Sequence, residues 1–190
     1  MCSIMRYKNS ELNALDRIET ALASLIKNHQ YSDITCTDII KESKVSRSTF
    51  YLYFKNKDQV VTHLCDNIFN HVFSNKLTKE KHHDFSSSKE DDLNHLITHS
   101  FYHFLEDKEL ILAILNSGAS SIFLQQLRKR IKPLVTALLE KKIIGNNDVP
   151  LDIKTHQYVN GYTALLQYYL RHADKEKPET MSEYYFKMSK

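Results

Sequence analysis

The sequence predicts an all-α fold with a helix-turn-helix near its start. Two observations lead there. Three Gly and three Pro in 190 residues leave few sites for the tight turns and bulges that an all-β sandwich or barrel needs. Apolar residues recur at three- and four-residue spacing over most of the chain, and polar capping residues punctuate that pattern. Hydrophobic residues at 42% and charged residues at 26% are ordinary for a globular protein and exclude wholesale disorder.

The first helix is carried by Leu12, Leu15, Ile18, Leu22, Leu25 and Ile26 and is expected to end near His29. Tyr31, Ser32 and Asp33 form a polar break. Thr35 and Asp38 then stand as N-cap and N3 of a capping box, opening a second helix that runs to about Ser43. Lys44 and Val45 make a short turn, and Ser46 is placed to cap a third helix containing Phe50, Tyr51 and Tyr53. Asn56 offers the cap for a fourth helix, through Val60, Leu64, Ile68 and Phe73 to about Lys76.

Thr78 to Asp92 is charged and Ser-rich, with Phe85 its one aromatic residue, and reads as a linker or loop. Helices are expected beyond it at Leu93–Leu105, Lys108–Asn116, about Ser121–Lys142 with an interruption at Pro133, and about Asp152–His172. A charged loop over 174–179 precedes a last short helix at about Ser182–Met188. The expected domains are residues 11–71 for the head and 72–190 for a regulatory and dimerisation region.

The longest apolar runs, such as Leu110 to Leu115, fall far short of the roughly 20 residues a membrane-spanning helix requires. Met1 to Ser10 has no apolar run of the signal-peptide kind, so a cytoplasmic location is expected. Cys2, Cys36 and Cys65 are odd in number and far apart, which fits reduced, mostly buried thiols. Net charge is only +3, so any nucleic-acid surface has to be local.

A helix-turn-helix braces one helix on the DNA backbone and presents the N-terminal side chains of the next to the major groove. Thr35 to Phe54 has that form. At about 100° per residue, Phe50 and Val45 face a core while Arg47, Ser48, Thr49, Tyr51 and Tyr53 fall on exposed arcs. Arginine can fork onto guanine, hydroxyls reach bases or phosphates, and Lys57 near a helix start adds charge to free backbone N–H groups. With Thr35 and Lys44 these residues make the candidate DNA-binding set.

Ile34-Thr35, Asp38-Ile39, Val45-Ser46-Arg47 and Thr49-Phe50-Tyr51-x-Tyr53-Phe54-x-x-Lys57 together resemble, in order, the head signature of the TetR/AcrR family of transcriptional regulators. The resemblance covers about Glu11 to His71. Ser43 and Lys44 stand where that pattern usually has Ala-Gly, so the turn lacks its glycine. The body is similar to regulators of the dihydroxyacetone-kinase kind through Leu115-Asn116, Gly161 and Met181-Ser182-x-x-Tyr185. The resemblance implies a three-helix DNA-binding head with the helix-turn-helix, a ligand-binding and dimerisation body of roughly six helices, and a sequence-specific DNA-binding homodimer, a ligand-responsive repressor acting on double-stranded operator DNA. Its effector would be a small molecule or a protein partner. A co-activator or adaptor derived from the same fold and acting through a protein partner is the alternative reading.

In the body, Phe101, Phe104, Phe123, Tyr158 and Tyr162 could line an apolar ligand cavity, although aromatics at helical spacing also simply form core. The apolar positions of the eighth helix cover an arc of about 240°, wider than one buried face needs. Gly161, Ala164, Leu165, Tyr168 and Tyr169 are therefore nominated for a two-fold interface, with Leu165 or Leu166 turned to the partner. His95, His99 and His103 lie four apart, a spacing that can bring imidazoles to one zinc ion. Taking Leu93 as zero they fall at about 200° to 280°, opposite the apolar stripe, and are read as a solvated face. His63 and His71 share a second stripe with Asn67, and His82 and His83 fall in the loop. The run Arg128, Lys129, Arg130 and Lys132 also reads as a solvated face. No metal or cofactor is assigned. The chain is read as no enzyme, because no nucleophile elbow, phosphate loop, HExxH helix or paired catalytic carboxylate occurs.

Overall fold

The computed structural model describes residues 13–73, 84, 92–145 and 147–189. Met1 to Ser10 with Cys2, the fourth helix beyond Phe73, His82, His83 and Phe85 lie outside the described residues. Among those described, the chain forms α1 (Ala14–Asn28), α2 (Cys36–Ser43), α3 (Arg47–Tyr53), α4 (Lys57–Val72), α5 (Leu93–Glu106), α6 (Lys108–Asn116), α7 (Ser120–Glu140), α8 (Leu151–His172) and α9 (Pro178–Met188). The polar break after α1 is a single 3-10 turn, Tyr31–Asp33.

The helix starts follow from side-chain chemistry. Asn13 accepts from Asp16 N–H at the head of α1, and Ser46 Oγ accepts from Thr49 N–H at the head of α3. Thr35 and Asp38 close a full capping box on α2, and Asn56 Oδ1 accepts from Gln59 N–H at 3.0 Å at the head of α4.

Two helices differ from expectation. α7 runs unbroken through Pro133. The proline deprives the Lys129 carbonyl of its helical donor, but both residues are exposed, so water can satisfy that carbonyl and the helix continues. α9 begins at Pro178 within the expected loop, because proline at the first helical position loses no hydrogen bond and has φ already set.

The described chain forms two compact units. The first comprises residues up to Ile68 together with Glu106–Gln126. In it α1 packs on α2, α3 and α6, and Tyr31 N–H donates to the Ser117 carbonyl at 2.7 Å. Ile18, Leu22, Ile39, Phe50 and Leu64 fill its core. Cys36 and Cys65 are free thiols, Cys65 fully buried and its pKa pushed up to about 12 by that burial. The second unit comprises Phe69–Leu105 and Leu127–Lys190. Its core holds Phe101, Phe104, Tyr162, Tyr169 and Tyr185.

Candidate nucleic-acid interface

The turn between α2 and α3 is made without glycine. Lys44 takes the left-handed conformation, φ 54° and ψ 34°, and so ends α2. A residue with a Cβ is strained there by about 1 kcal/mol or more. The guanidinium of Arg17 on α1 holds the strained residue by donating to its carbonyl at 2.5 Å.

α3 is seated by its aromatic residues. Phe50 is fully buried, and its ring lies 6.1 Å from that of Phe54, which closes the helix. The opposite face is open. Arg47 and Ser48 are exposed, as are Tyr51, Leu52 and Tyr53 at 50%, 78% and 46%. Arg47 has no hydrogen-bond or ion-pair partner among the described residues. No Asp or Glu lies between Lys44 and Lys55, so the face carries cations, hydroxyls and rings with no acid among them. Leu52 is absent from the sequence-based set because a leucine in a helical period reads as core. Its exposure gives the helix an apolar tip of the kind that meets a thymine methyl.

Four of the nominated residues are engaged locally. Ser46 Oγ lies 2.8 Å from Ser48 Oγ and 2.7 Å from Thr49 Oγ1, so both hydroxyls are held at the cap. Thr35 donates its hydroxyl to Asp38 Oδ2 at 2.6 Å and its N–H to the same oxygen at 2.8 Å. Those bonds keep the Asp38 carboxyl below its usual 3.8. Lys57 directs its ammonium at the carbonyls of Tyr31, Ile34 and Ser32, at 2.6, 2.7 and 3.4 Å, and lies over the Tyr31 ring. Its three protons are thereby directed at the chain, so what it offers a phosphate is mainly its charge.

Behind this surface, Glu19 of α1 is buried and meets His63 Nδ1 and Asn67 Nδ2 of α4. Asn67 thus belongs with Glu19 and does not link two histidines. Burial raises the Glu19 pKa above its ordinary 4.5, against the pull of His63 and Asn67 and with a small push from Asp16. A raised carboxyl favours folding fully below the unfolded pKa, and that contribution is lost as pH rises through the folded value. Glu19→Gln should therefore gain on the wild type in melting temperature as pH climbs from 4.5. Parallel melting curves of the two proteins across that range would show the carboxyl to be unperturbed.

In the second unit the nominated pocket residues separate. Phe101 contacts Tyr162 at 5.3 Å, while Phe104 packs on Phe69 and Phe73. Phe123 belongs to the first unit, and Tyr158 is buried on α8. The rings pack on one another as core. Tyr162 exchanges a hydrogen bond with Ser100 at 2.5 Å, and its pKa is driven far up by burial. An open groove of about 570 Å³ lies elsewhere, lined by Lys132 and Thr136 of α7 with Thr155, His156 and Val159 of α8.

On α8 the nominated interface divides. Gly161, Ala164 and Tyr168 form an exposed stripe, with nothing within 4 Å of a Cβ placed on Gly161. Leu165, Leu166 and Tyr169 turn into their own unit at 9%, 0% and 0% exposure, so the expectation that Leu165 or Leu166 faces a partner is corrected. The histidine stripe is corrected too. His95 is half-exposed beside Asp92, but His99 and His103 are fully buried. In the basic run, Arg128 donates to Asn160 and Arg130 to Asn70, at 2.9 and 2.8 Å.

A family model described as "Bacterial regulatory proteins, tetR family" matches residues 18–64, and one described as "Transcriptional regulator C-terminal region" matches residues 91–190. The chain belongs to the TetR family. This TetR-family regulator is 33% identical over 52 residues to the HTH-type dhaKLM operon transcriptional activator DhaS of Lactococcus lactis, a stretch covering 27% of this chain and 28% of that protein. It is similar to a TetR regulator structure from Streptococcus agalactiae, at 25% identity, TM-score 0.72 and 92% coverage of both chains. It shares its fold with Thermus thermophilus FadR, a TetR-family repressor in complex with lauroyl-CoA, at 19% identity, TM-score 0.52 and 92% coverage of both. A helix-turn-helix head and, among the described residues, a helical body accordingly characterise this TetR-family chain. No helix among the described residues is long and apolar enough to cross a membrane.

Proposed function

We propose that this TetR-family regulator is a cytoplasmic homodimer that binds double-stranded operator DNA through α3 and acts as a ligand-responsive repressor. The observation that carries the reading is the exposed face of Arg47, Tyr51, Leu52 and Tyr53 on a short helix that Phe50 and Phe54 fix from behind. Arg47 reads a base edge or phosphate, the tyrosines add hydroxyls and rings, and Lys44 contributes charge from the turn. Replacing Arg47 or Tyr51 by Ala should weaken specific binding by about 1 to 3 kcal/mol, roughly 5- to 150-fold. Titration of the folded variants against a selected operator measures this, and wild-type affinity in both would remove α3 from the interface.

The homodimer reading rests on the exposed stripe of α8 together with Tyr184 and Met188, exposed at 39% and 62% on the adjoining α9. The effector reading centres on Phe101, Tyr162 and Tyr169. The buried Tyr169 hydroxyl has no hydrogen-bond partner among the described residues, and a buried hydroxyl in that state calls for a ligand or water. The bound lauroyl-CoA of Thermus thermophilus FadR supports a small-molecule effector for this fold. A ligand that prefers one setting of α4, the helix following the recognition helix, would shift the head between binding and non-binding arrangements.

A further inference from the structure

We propose that Arg17 is the positioning residue of the recognition helix: its bond to the Lys44 carbonyl does for the turn what a glycine would do, so operator affinity depends on Arg17 and Lys44 as a pair. The inference rests on the reading of α3 as the helix that meets DNA. The turn between α2 and α3 needs a left-handed residue, and this sequence supplies lysine, at φ 54° and ψ 34°. Glycine takes that conformation freely, whereas a Cβ is crowded there by the neighbouring backbone. Lysine therefore tends to relax, and a change of its φ and ψ redirects the chain that leads through Val45 into the Ser46 cap and α3.

What opposes that relaxation comes from 27 residues upstream, where the Arg17 Nη2 donates to the Lys44 carbonyl oxygen at 2.5 Å. No main-chain N–H donates to that oxygen among the described residues, so the guanidinium is its donor. Nor does the Arg17 side chain make an ion pair or a second hydrogen bond among them. Arg17 lies on α1, which packs on both α2 and α3, so the bond ties the turn to the helix that supports its two flanks. A charged donor makes such a bond roughly twice as strong as a neutral one.

The direction of α3 is what the bond protects. Phe50 and Phe54 hold the buried side of this seven-residue helix, but the heading of its first turn is set by the chain that enters it. Arg47, its first residue, follows directly on the Ser46 cap and is exposed. Hydrogen bonds to base edges are directional and tolerate little displacement, while the attraction between cations and phosphates acts through space and tolerates more. A released turn therefore loses specific binding and keeps the non-specific kind.

The test is a double-mutant cycle in the full chain, read on a duplex that the wild type selects from a random pool and on an unrelated duplex of equal length. Arg17→Met removes the donors and keeps the apolar stem. It should lower affinity for the selected duplex about tenfold, the order of one hydrogen bond to a charged group, and leave the unrelated duplex within about twofold. In the Lys44→Gly chain the same change should cost less than about twofold, because the turn no longer needs holding. An equal loss on both duplexes with a shallower salt dependence would make Arg17 a phosphate contact and overturn the proposal. So would an undiminished loss in the Lys44→Gly chain, or wild-type affinity in folded Arg17→Met. A wild type that selects no duplex overturns the DNA-binding reading itself. Melting temperatures then still decide the pairing, which stands if Arg17→Met costs more stability beside Lys44 than in the Lys44→Gly chain and falls if the two losses are equal.

Discussion

Phe50→Ala should destabilise the first compact unit by about 3 to 5 kcal/mol and abolish operator binding. The ring is fully buried, with Tyr51 edge-on at 5.3 Å and Phe54 at 6.1 Å, and it anchors the buried side of the seven-residue α3. A helix that short is marginal in water by itself, so its position depends on this anchor and on the Ser46 cap. Against a typical total stability of about 5 to 15 kcal/mol the loss is large. Urea unfolding followed by helical signal measures it. Tyr53→Ala, which removes an exposed ring, should stay within about 0.5 kcal/mol of wild type. A loss below about 1 kcal/mol for Phe50→Ala would mean that α3 is held by something other than its aromatic anchor.

Ala164→Glu should convert the proposed dimer to monomers and lower apparent operator affinity by roughly a hundredfold or more. Ala164 lies on the open stripe of α8 between Gly161 and Tyr168, where a two-fold axis would bring a second copy of the same helix. The new carboxylate would face its own symmetry mate across a desolvated surface, and unpaired buried charge costs several kcal/mol. One head alone loses the gain from placing two heads on half-sites about one helical turn apart. Leu165 and Leu166 are unsuitable for this test, because a charge at either enters the protomer's own core. Light scattering at micromolar concentration decides the matter: a monomeric wild type, or a variant that stays dimeric, removes α8 from the interface.

The head was legible in the sequence because its signals are local. Thr35 with Asp38, Ser46 and Asn56 each announce a helix start through a hydrogen bond spanning three residues, and each is made. What depends on tertiary surroundings was not legible. The periodicity of α5 gave the angle of Ile97 and Phe101, but its buried surface also takes in Thr98, His99, Ser100 and His103. Histidine is as much at home inside as outside, so the pattern could not place it. Lys57 looked like a free cation in sequence, and only the fold shows carbonyls 23 and 26 residues away that receive its protons. The unbroken α7 has the same cause, since tolerance of Pro133 depends on which side of the helix faces water.

The first compact unit is discontinuous in sequence, and this bears on how the protein is made. α6 covers α1, and Ser117 receives the Tyr31 amide, so the first 68 residues emerge from a ribosome before the segment that completes their packing. Domains generally fold as units during synthesis, and loop closure over so long a separation slows the step. The nascent head therefore waits, incompletely covered, until residue 126 has cleared the exit tunnel. A chain cut after residue 71 would keep the whole recognition surface and lack the helix that covers α1, so operator binding by such a fragment would be limited by its folding before its contacts to DNA.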